Sequence, residues 1–165
     1  GVSFREGAVS FWIRRAPKSA RQEVLWLAGD GLATNTMPEN SRILTRISPA
    51  GRVDLVLNSG ATETIVSSPD SIADGCWHHI AMSWQRSVAD LYLDGRHVAQ
   101  EDRTGDPPPI VLRGRLVRFG KPGADLFSDH SSFTGWVDEI AVWNRSLDPT
   151  EVIRQHQSAL GAKSD

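Results

Sequence analysis

The chain has 165 residues, a formal net charge of -2, one cysteine, and 39% hydrophobic against 23% charged residues. That is one domain's worth of chain, long enough for a core of its own and ordinary in composition for a globular protein. The charge balance supplies no basic field for nucleic acid, no apolar run approaches the roughly 20 residues of a membrane span, and a lone thiol permits no internal disulfide.

Taken in order, the chain reads as short strands separated by turns. GAVSFWIRR (7–15) alternates, with Val9, Phe11 and Ile13 on one face and Ser10, Trp12 and Arg14 on the other. Its closing Arg14-Arg15 pair lacks the apolar segment that would make it an export signal. EVLWLA (23–28) is a continuous apolar run, as expected of a buried strand. Residues 29–41, rich in Gly, Asn, Thr and Pro, form a first long loop. A hairpin follows over 42–47 and 52–58, in which Val53, Leu55 and Leu57 face one way, and 62–66 is a β-branched strand.

The stretch CWHHIAMSWQRSVADLYLDGRHVA (76–99) organises the chain as three antiparallel strands. His78, Ile80, Met82 and Trp84 share one face, and Ala89, Leu91 and Leu93 resume the alternation after a polar turn. Asp94-Gly95 is a two-residue hairpin signal, because such a turn needs positive φ at both positions. Cys76, beside Trp77, is expected to be a buried thiol.

Residues 101–109 form a second long loop stiffened by three prolines, and 110–112 and 116–120 are strands. A third loop spans 121–132, and the closing strand runs over 134–143. Asp148-Pro149-Thr150-Glu151 is a helix start, with Asp as N-cap, Pro in the first position and Glu three residues after the cap. Val152, Ile153, His156 and Leu160 are its expected inward stripe, and 161–165 is a polar tail. Many short strands with turn signals between them predict an all-β, two-sheet antiparallel sandwich with a short C-terminal helix, one domain over 1–160.

Three blocks carry a family resemblance. Trp77-His78-His79-Ile80-Ala81, then Trp84, then Leu91-Tyr92-Leu93-Asp94-Gly95 resembles the laminin-G-like domains of the concanavalin A-like lectin/glucanase superfamily. FTGWVDEIAVWNRSL (133–147) is similar to the closing strand of those domains, and GAVSFWIRR to their early core strand. The blocks occur in the family's order and span nearly the whole chain. The resemblance implies a jelly-roll sandwich and a binding module for a glycan or a protein surface. Such domains usually begin with an extra strand lying near the closing one. At most residues 2–4 remain of it here, so 136–143 is expected to be an unprotected edge. The chain opens without Met and reads as a segment of a longer, extracytoplasmic protein that supplies neighbouring domains. The absence of disulfides points to a bacterial envelope.

The residues offer little for catalysis. Glucanases of this superfamily use carboxylates that alternate along one strand and share a groove, about 5 Å apart for a retaining mechanism. No Glu-x-Asp-x-Glu array is present, and the adjacent pairs Asp138-Glu139 and Glu101-Asp102 point to opposite faces of their strands. His78 and His79 diverge in the same way, and His97, His130 and His156 show no ligand spacing.

Calcium is the candidate cofactor. The resemblance implies a rim site built from carboxylates and carbonyls, and Asp138 matches the Asp of the closing-strand motif. Its other reading is a hydrogen-bond acceptor for loop backbone. Loop residues Asp30, Asn35, Asn40, Asp106, Asp125 and Asp129 are candidate ligand or metal contacts. Of the six tryptophans, Trp12 and Trp136 are expected on an exposed sheet face where a sugar could stack. The function expected is a non-catalytic binding module; a structural spacer and a glycosidase are the alternatives.

Overall fold

The computed structural model describes residues 2–16, 21–29, 41–59, 62–103, 105, 108–112, 117–120 and 130–163. The described residues form thirteen strands and one α-helix: β1 (Val2–Phe4), β2 (Gly7–Arg15), β3 (Gln22–Gly29), β4 (Arg42–Ile47), β5 (Arg52–Ser59), β6 (Thr62–Ser71), β7 (Trp77–Trp84), β8 (Val88–Leu93), β9 (Arg96–Asp102), β10 (Ile110–Leu112), β11 (Val117–Phe119), β12 (His130–Ser132), β13 (Gly135–Trp143) and α1 (Pro149–Ala159). One sheet has the order β13-β2-β7-β8-β9. The other runs β11-β3-β4-β5-β6, with β12 parallel to β3, and β1 pairs separately with β10. This is the all-β sandwich that the alternation predicts.

The core lies between the two sheets. Val9, Phe11 and Ile13 of β2, Ile80, Met82 and Trp84 of β7, and Leu91 and Leu93 of β8 meet Leu25, Ile43, Ile47, Val53, Leu55 and Leu57 from the opposite sheet. Burying one such side chain stabilises the fold by about 1.5–3 kcal/mol. Gly7 makes room for this packing, since a Cβ there would run into the indole of Trp84. The β8–β9 turn forms as its sequence demands, with φ of 51° at Asp94 and 77° at Gly95.

Several boundaries differ from the sequence expectation. β6 continues through Pro69 to Ser71, which an edge strand tolerates because the missing N–H faces no partner. β9 takes in Glu101 and Asp102, and β12 forms within the expected third loop. The short β1 lies against β10 rather than beside β13. β13 therefore ends its sheet with β2 as its ladder partner, the open edge that was expected.

Other corrections concern burial. Trp12 is only 2% exposed, because α1 covers the outer face of β2. Cys76 is exposed, because it precedes β7 in a turn and does not lie within the strand. α1 starts as predicted: Glu151 N–H donates to Asp148 Oδ1 at 2.9 Å and Asp148 N–H to Glu151 Oε2 at 3.0 Å. Its inward stripe is Val152, Gln155, His156 and Ala159, whereas Ile153 and Leu160 are exposed. Hydrophobicity alone misplaces that stripe, because the sheet face beneath it is itself partly polar. Ser10 Oγ donates to Gln155 Oε1 at 3.0 Å there.

At one end of the sandwich a buried ion pair ties the sheets together. Arg15 continues the inward alternation of β2, and its Nε donates to Glu23 Oε2 of β3 at 2.8 Å, with side chains 0% and 3% exposed. Removing one partner of such a pair strands a charge in the interior, at about 3–5 kcal/mol. Glu23→Gln is expected to lower unfolding stability by about 3 kcal/mol in urea titration, and the double change Arg15→Met/Glu23→Leu to recover most of it. A loss below about 1 kcal/mol would place the pair with ordinary surface ion pairs.

Candidate functional site

The outer face of the five-stranded sheet is built in rows across β13, β2 and β7. Trp143 aligns with Ala8 and Ser83, Ala141 with Ser10 and Ala81, Asp138 with Trp12 and His79, and Trp136 with Arg14 and Trp77. Helix α1 covers the first three rows: Val152 joins Ala8, Ala81, Tyr92 and Leu147 in an apolar cluster, and His156 stacks on Trp12 with ring centroids 5.3 Å apart. The fourth row lies beyond the helix.

That row is a cation–aromatic ladder. Arg14 stands between two tryptophans, with its guanidinium carbon 5.5 Å from the centroid of Trp136. Its Nε donates to the carbonyl of Gly75 at 2.7 Å, which fixes the plane of the guanidinium. After a 3-10 turn (Leu160–Ala162), Lys163 folds back so that its Nζ lies 4.6 Å from the Trp77 centroid and donates to Asp138 Oδ2. Trp136 itself is 59% exposed. The result is one exposed indole, Trp136, beside a braced guanidinium, with Trp77 beneath the Lys163 ammonium; the open indole is suited to stacking against a ring or an apolar face.

Asp138 is thus placed on the outer face with both oxygens engaged. Oδ1 accepts from the Glu139 amide at 2.8 Å and Oδ2 from Lys163, and together these hold its carboxyl below the usual range, Lys163 contributing most. A calcium ion there would have to displace an ammonium group, so the carboxylate as arranged does not fit that ion. Among the described residues no three His, Cys, Asp or Glu side chains gather as a metal site. Asp30, Asn35, Asn40, Asp106, Asp125 and Asp129 lie outside the described residues. Of the expected contacts the structure therefore describes Asp138 and Trp136, two residues apart on one face of β13.

The bulge in β13 was not foreseen. The register slips between Asp138 and Ala141, and Glu139 takes a φ of 50°, a left-handed backbone that costs a non-glycine residue about 1–2 kcal/mol. Simple alternation does not hold across Asp138 and Glu139, although it is the basis for separating them in the sequence. Arg14, Trp77 and Lys163 also escaped the sequence reading. The only available signal was the pairing of FWIRR with CWHHI, which aligns Arg14 with Trp77.

The two histidines of the central motif have different fates. His78 bridges Asp94 (Nδ1 to Oδ2, 2.9 Å) and Asp74 (Nε2 to Oδ1, 3.0 Å), and the bond to Asp94 raises its pKa. His79 lies under α1 with ring centroids 5.3 Å from Trp12 and 5.8 Å from His156, and burial, aided by His156, lowers its pKa to about 4.

The sandwich order and the central and closing motifs have a direct counterpart among known families. The laminin G family profile of the concanavalin A-like lectin/glucanases superfamily matches residues 2–153. The chain belongs to this superfamily. Its curated relatives include C-reactive protein 1.4 of Limulus polyphemus, 26% identical over 124 residues that cover 72% of this chain and 50% of that protein. The chain thus spans about half the length of that relative. Among solved structures, domains LG4-5 of the mouse laminin alpha1 chain match with a TM-score of 0.70 and 19% identity, covering 91% of this chain and 38% of that one. The carbohydrate-binding module CBM40 of a Ruminococcus gnavus sialidase matches with a TM-score of 0.75 and 18% identity, over 93% of this chain and 83% of that one. At these identities the structures share the fold. No helix among the described residues is long and apolar enough to cross a membrane.

The outer face of this superfamily member carries a pH signature. His79 stays neutral in the folded state down to about pH 4, whereas the unfolded chain protonates it near 6.5. Between these values the unfolded state takes up a proton that the folded state refuses, so acidification destabilises the fold by up to about 1.4 kcal/mol per pH unit. His78 works in the opposite direction, its stabilisation present below the unfolded value and lost as pH rises through its raised pKa. The stability difference between wild type and His79→Phe, measured from pH 7 to 4, is expected to shift steadily in favour of the variant as pH falls. A difference independent of pH would mean that His79 takes a proton in the folded state as readily as in the unfolded one.

Proposed function

We propose that this chain is a non-catalytic binding module of a larger extracytoplasmic protein, and that it recognises a glycan or a protein surface through the row Trp136–Arg14–Trp77. The observation that carries this reading is the exposure of Trp136. A tryptophan held open to solvent at 59% on a sheet face, with a guanidinium braced beside it, gains most when an apolar ring face covers it. A glycan supplies such a face together with hydroxyls for Arg14. The Ruminococcus gnavus module of the same fold has been solved with alpha2,3 sialyllactose, a match of 16% identity and TM-score 0.73, which makes glycans the first class to try. The loops 29–41, 101–109 and 121–132 remain the other candidate contact surface. The non-catalytic reading is supported by the pairing of Asp138 with Lys163, which occupies that carboxylate.

A second reading has its own support. Ile140 and Val142 are 43% and 52% exposed on the same open strand, which suits a spacer packed against a neighbouring domain of the parent chain. Binding by the chain alone separates the two. On a broad glycan array the wild type is expected to bind at least one class, and Trp136→Ala to weaken that binding about tenfold, the equivalent of the roughly 0.5–1.5 kcal/mol of an aromatic contact plus its lost area. No binding with or without calcium would sink the glycan reading and favour the spacer. Hydrolysis of a β-glucan panel would overturn the non-catalytic assignment.

Thermal unfolding in millimolar calcium and in chelator decides the metal question. Equal midpoints leave Asp138 as the ion-pair partner of Lys163, and a rise of several degrees in calcium assigns the ion to the rim.

A further inference from the structure

Beneath the C-terminal half of α1 lies a cluster of three rings whose nitrogens are not satisfied. Trp12 Nε1, His79 Nδ1 and His156 Nδ1 are buried and have no hydrogen-bond partner among the described residues. The rings form a triangle. His156 stacks on Trp12 with centroids 5.3 Å apart, His79 meets Trp12 at 5.3 Å, and the two imidazoles are 5.8 Å from each other. Trp12 and His79 face each other across the β2–β7 ladder and are each 2% exposed, whereas His156 descends on them from the helix. Two imidazolium rings at that separation, in a buried contact, repel each other.

The groups around this pair hold His79 neutral while the helix is seated. From the β8–β9 turn, Asp94 accepts the His79 amide on Oδ1 and His78 on Oδ2, and its charge favours a protonated His79. Burial and His156 outweigh it. From β13, Glu139 shares with His79 a cavity under the helix edge, and Asp138 is paired with Lys163. From β2, Ser10 and Trp12 are uncharged, and Arg14 bonds the Gly75 carbonyl. The helix itself is fastened unevenly. Its N-terminal half has the capping box and Val152 packed in the apolar cluster with Leu147. Beyond that, it is held by the Ser10–Gln155 bond, the His156 stack, Ala159 and the Lys163 contact. Lifting this half removes both the cover over His79 and the repulsion from His156, so the open form accepts a proton that the closed form refuses.

We propose that the segment from Gln155 to Lys163 is an acid-released flap: proton uptake by His79 against His156 lifts it from the sheet and uncovers Trp12 and Trp77. Both indoles lie on the same sheet face as Trp136, Trp77 in its row and Trp12 in the next. The open form adds them to the one indole already exposed, so acidification strengthens stacking by a ring-bearing ligand. That consequence rests on the Trp136-row reading of the function; the flap itself does not.

The test is amide hydrogen exchange of the isotope-labelled full chain at pH 7, 6 and 5, each rate divided by the intrinsic rate at that pH. The open fraction is expected to grow by up to about tenfold per pH unit below the ordinary histidine pKa. The amides of residues 156–160 are therefore expected to lose about tenfold in protection between pH 7 and 5, while those of residues 80–83 in β7 keep theirs. The β7 amides separate release of the flap from loss of the fold. His79→Phe is expected to abolish the pH dependence at 156–160, and His156→Phe, which keeps a ring on Trp12 without a second charge, to reduce it. The proposal is overturned if protection at 156–160 does not change with pH, if it falls together with that of β7, or if both variants lose it as the wild type does. No ligand enters this measurement. A flap that opens on a chain that binds no glycan at pH 7 or 5 supports the release and removes the Trp136 reading alone.

Discussion

The seating of α1 on β2 and β7 is the interaction on which the outer face depends. An eleven-residue helix has little stability alone, because its first turn is costly to nucleate. Here it is held at its N-terminal end. The Asp148–Glu151 capping box satisfies its first amides, and the Leu147 amide donates to Ser83 Oγ at 3.0 Å, which anchors the approach to the helix on the sheet. Arg145 adds paired bonds to Glu151 and lowers that carboxyl to about 2. Once seated, the helix buries Ser10, Trp12 and His79, residues that a solvated strand face would leave open.

The length of that helix decides what remains visible. It ends over the third row, and the chain turns back so that Lys163 reaches both Trp77 and Asp138. Trp136 stays exposed at 59% while Trp12 and His79 lie beneath the helix.

The bulge of β13 is the second organising feature. An open edge strand invites pairing with other chains, and a bulge with adjacent charges at Asp138 and Glu139 makes that edge a poor template.

Much of this was legible in the residues themselves. Period-two alternation in β2, β7 and β8 marked the inner face, Asp94-Gly95 marked its hairpin, and Asp148-Pro149-Thr150-Glu151 marked the helix start, because each is a local rule about backbone geometry. The motif blocks identified the family for the same reason: they are contiguous. The outer face was not legible. Whether Trp12 is open or buried, whether Arg15 ends in solvent or on Glu23, and whether His156 meets His79 depend on contacts between residues as far apart in sequence as Trp12 and His156. The bulge likewise arises from how β13 registers on β2. Local patterns set which strands form and which way their inward residues point; only the packing of α1 and the register of β13 decided which polar and aromatic residues were left for a ligand.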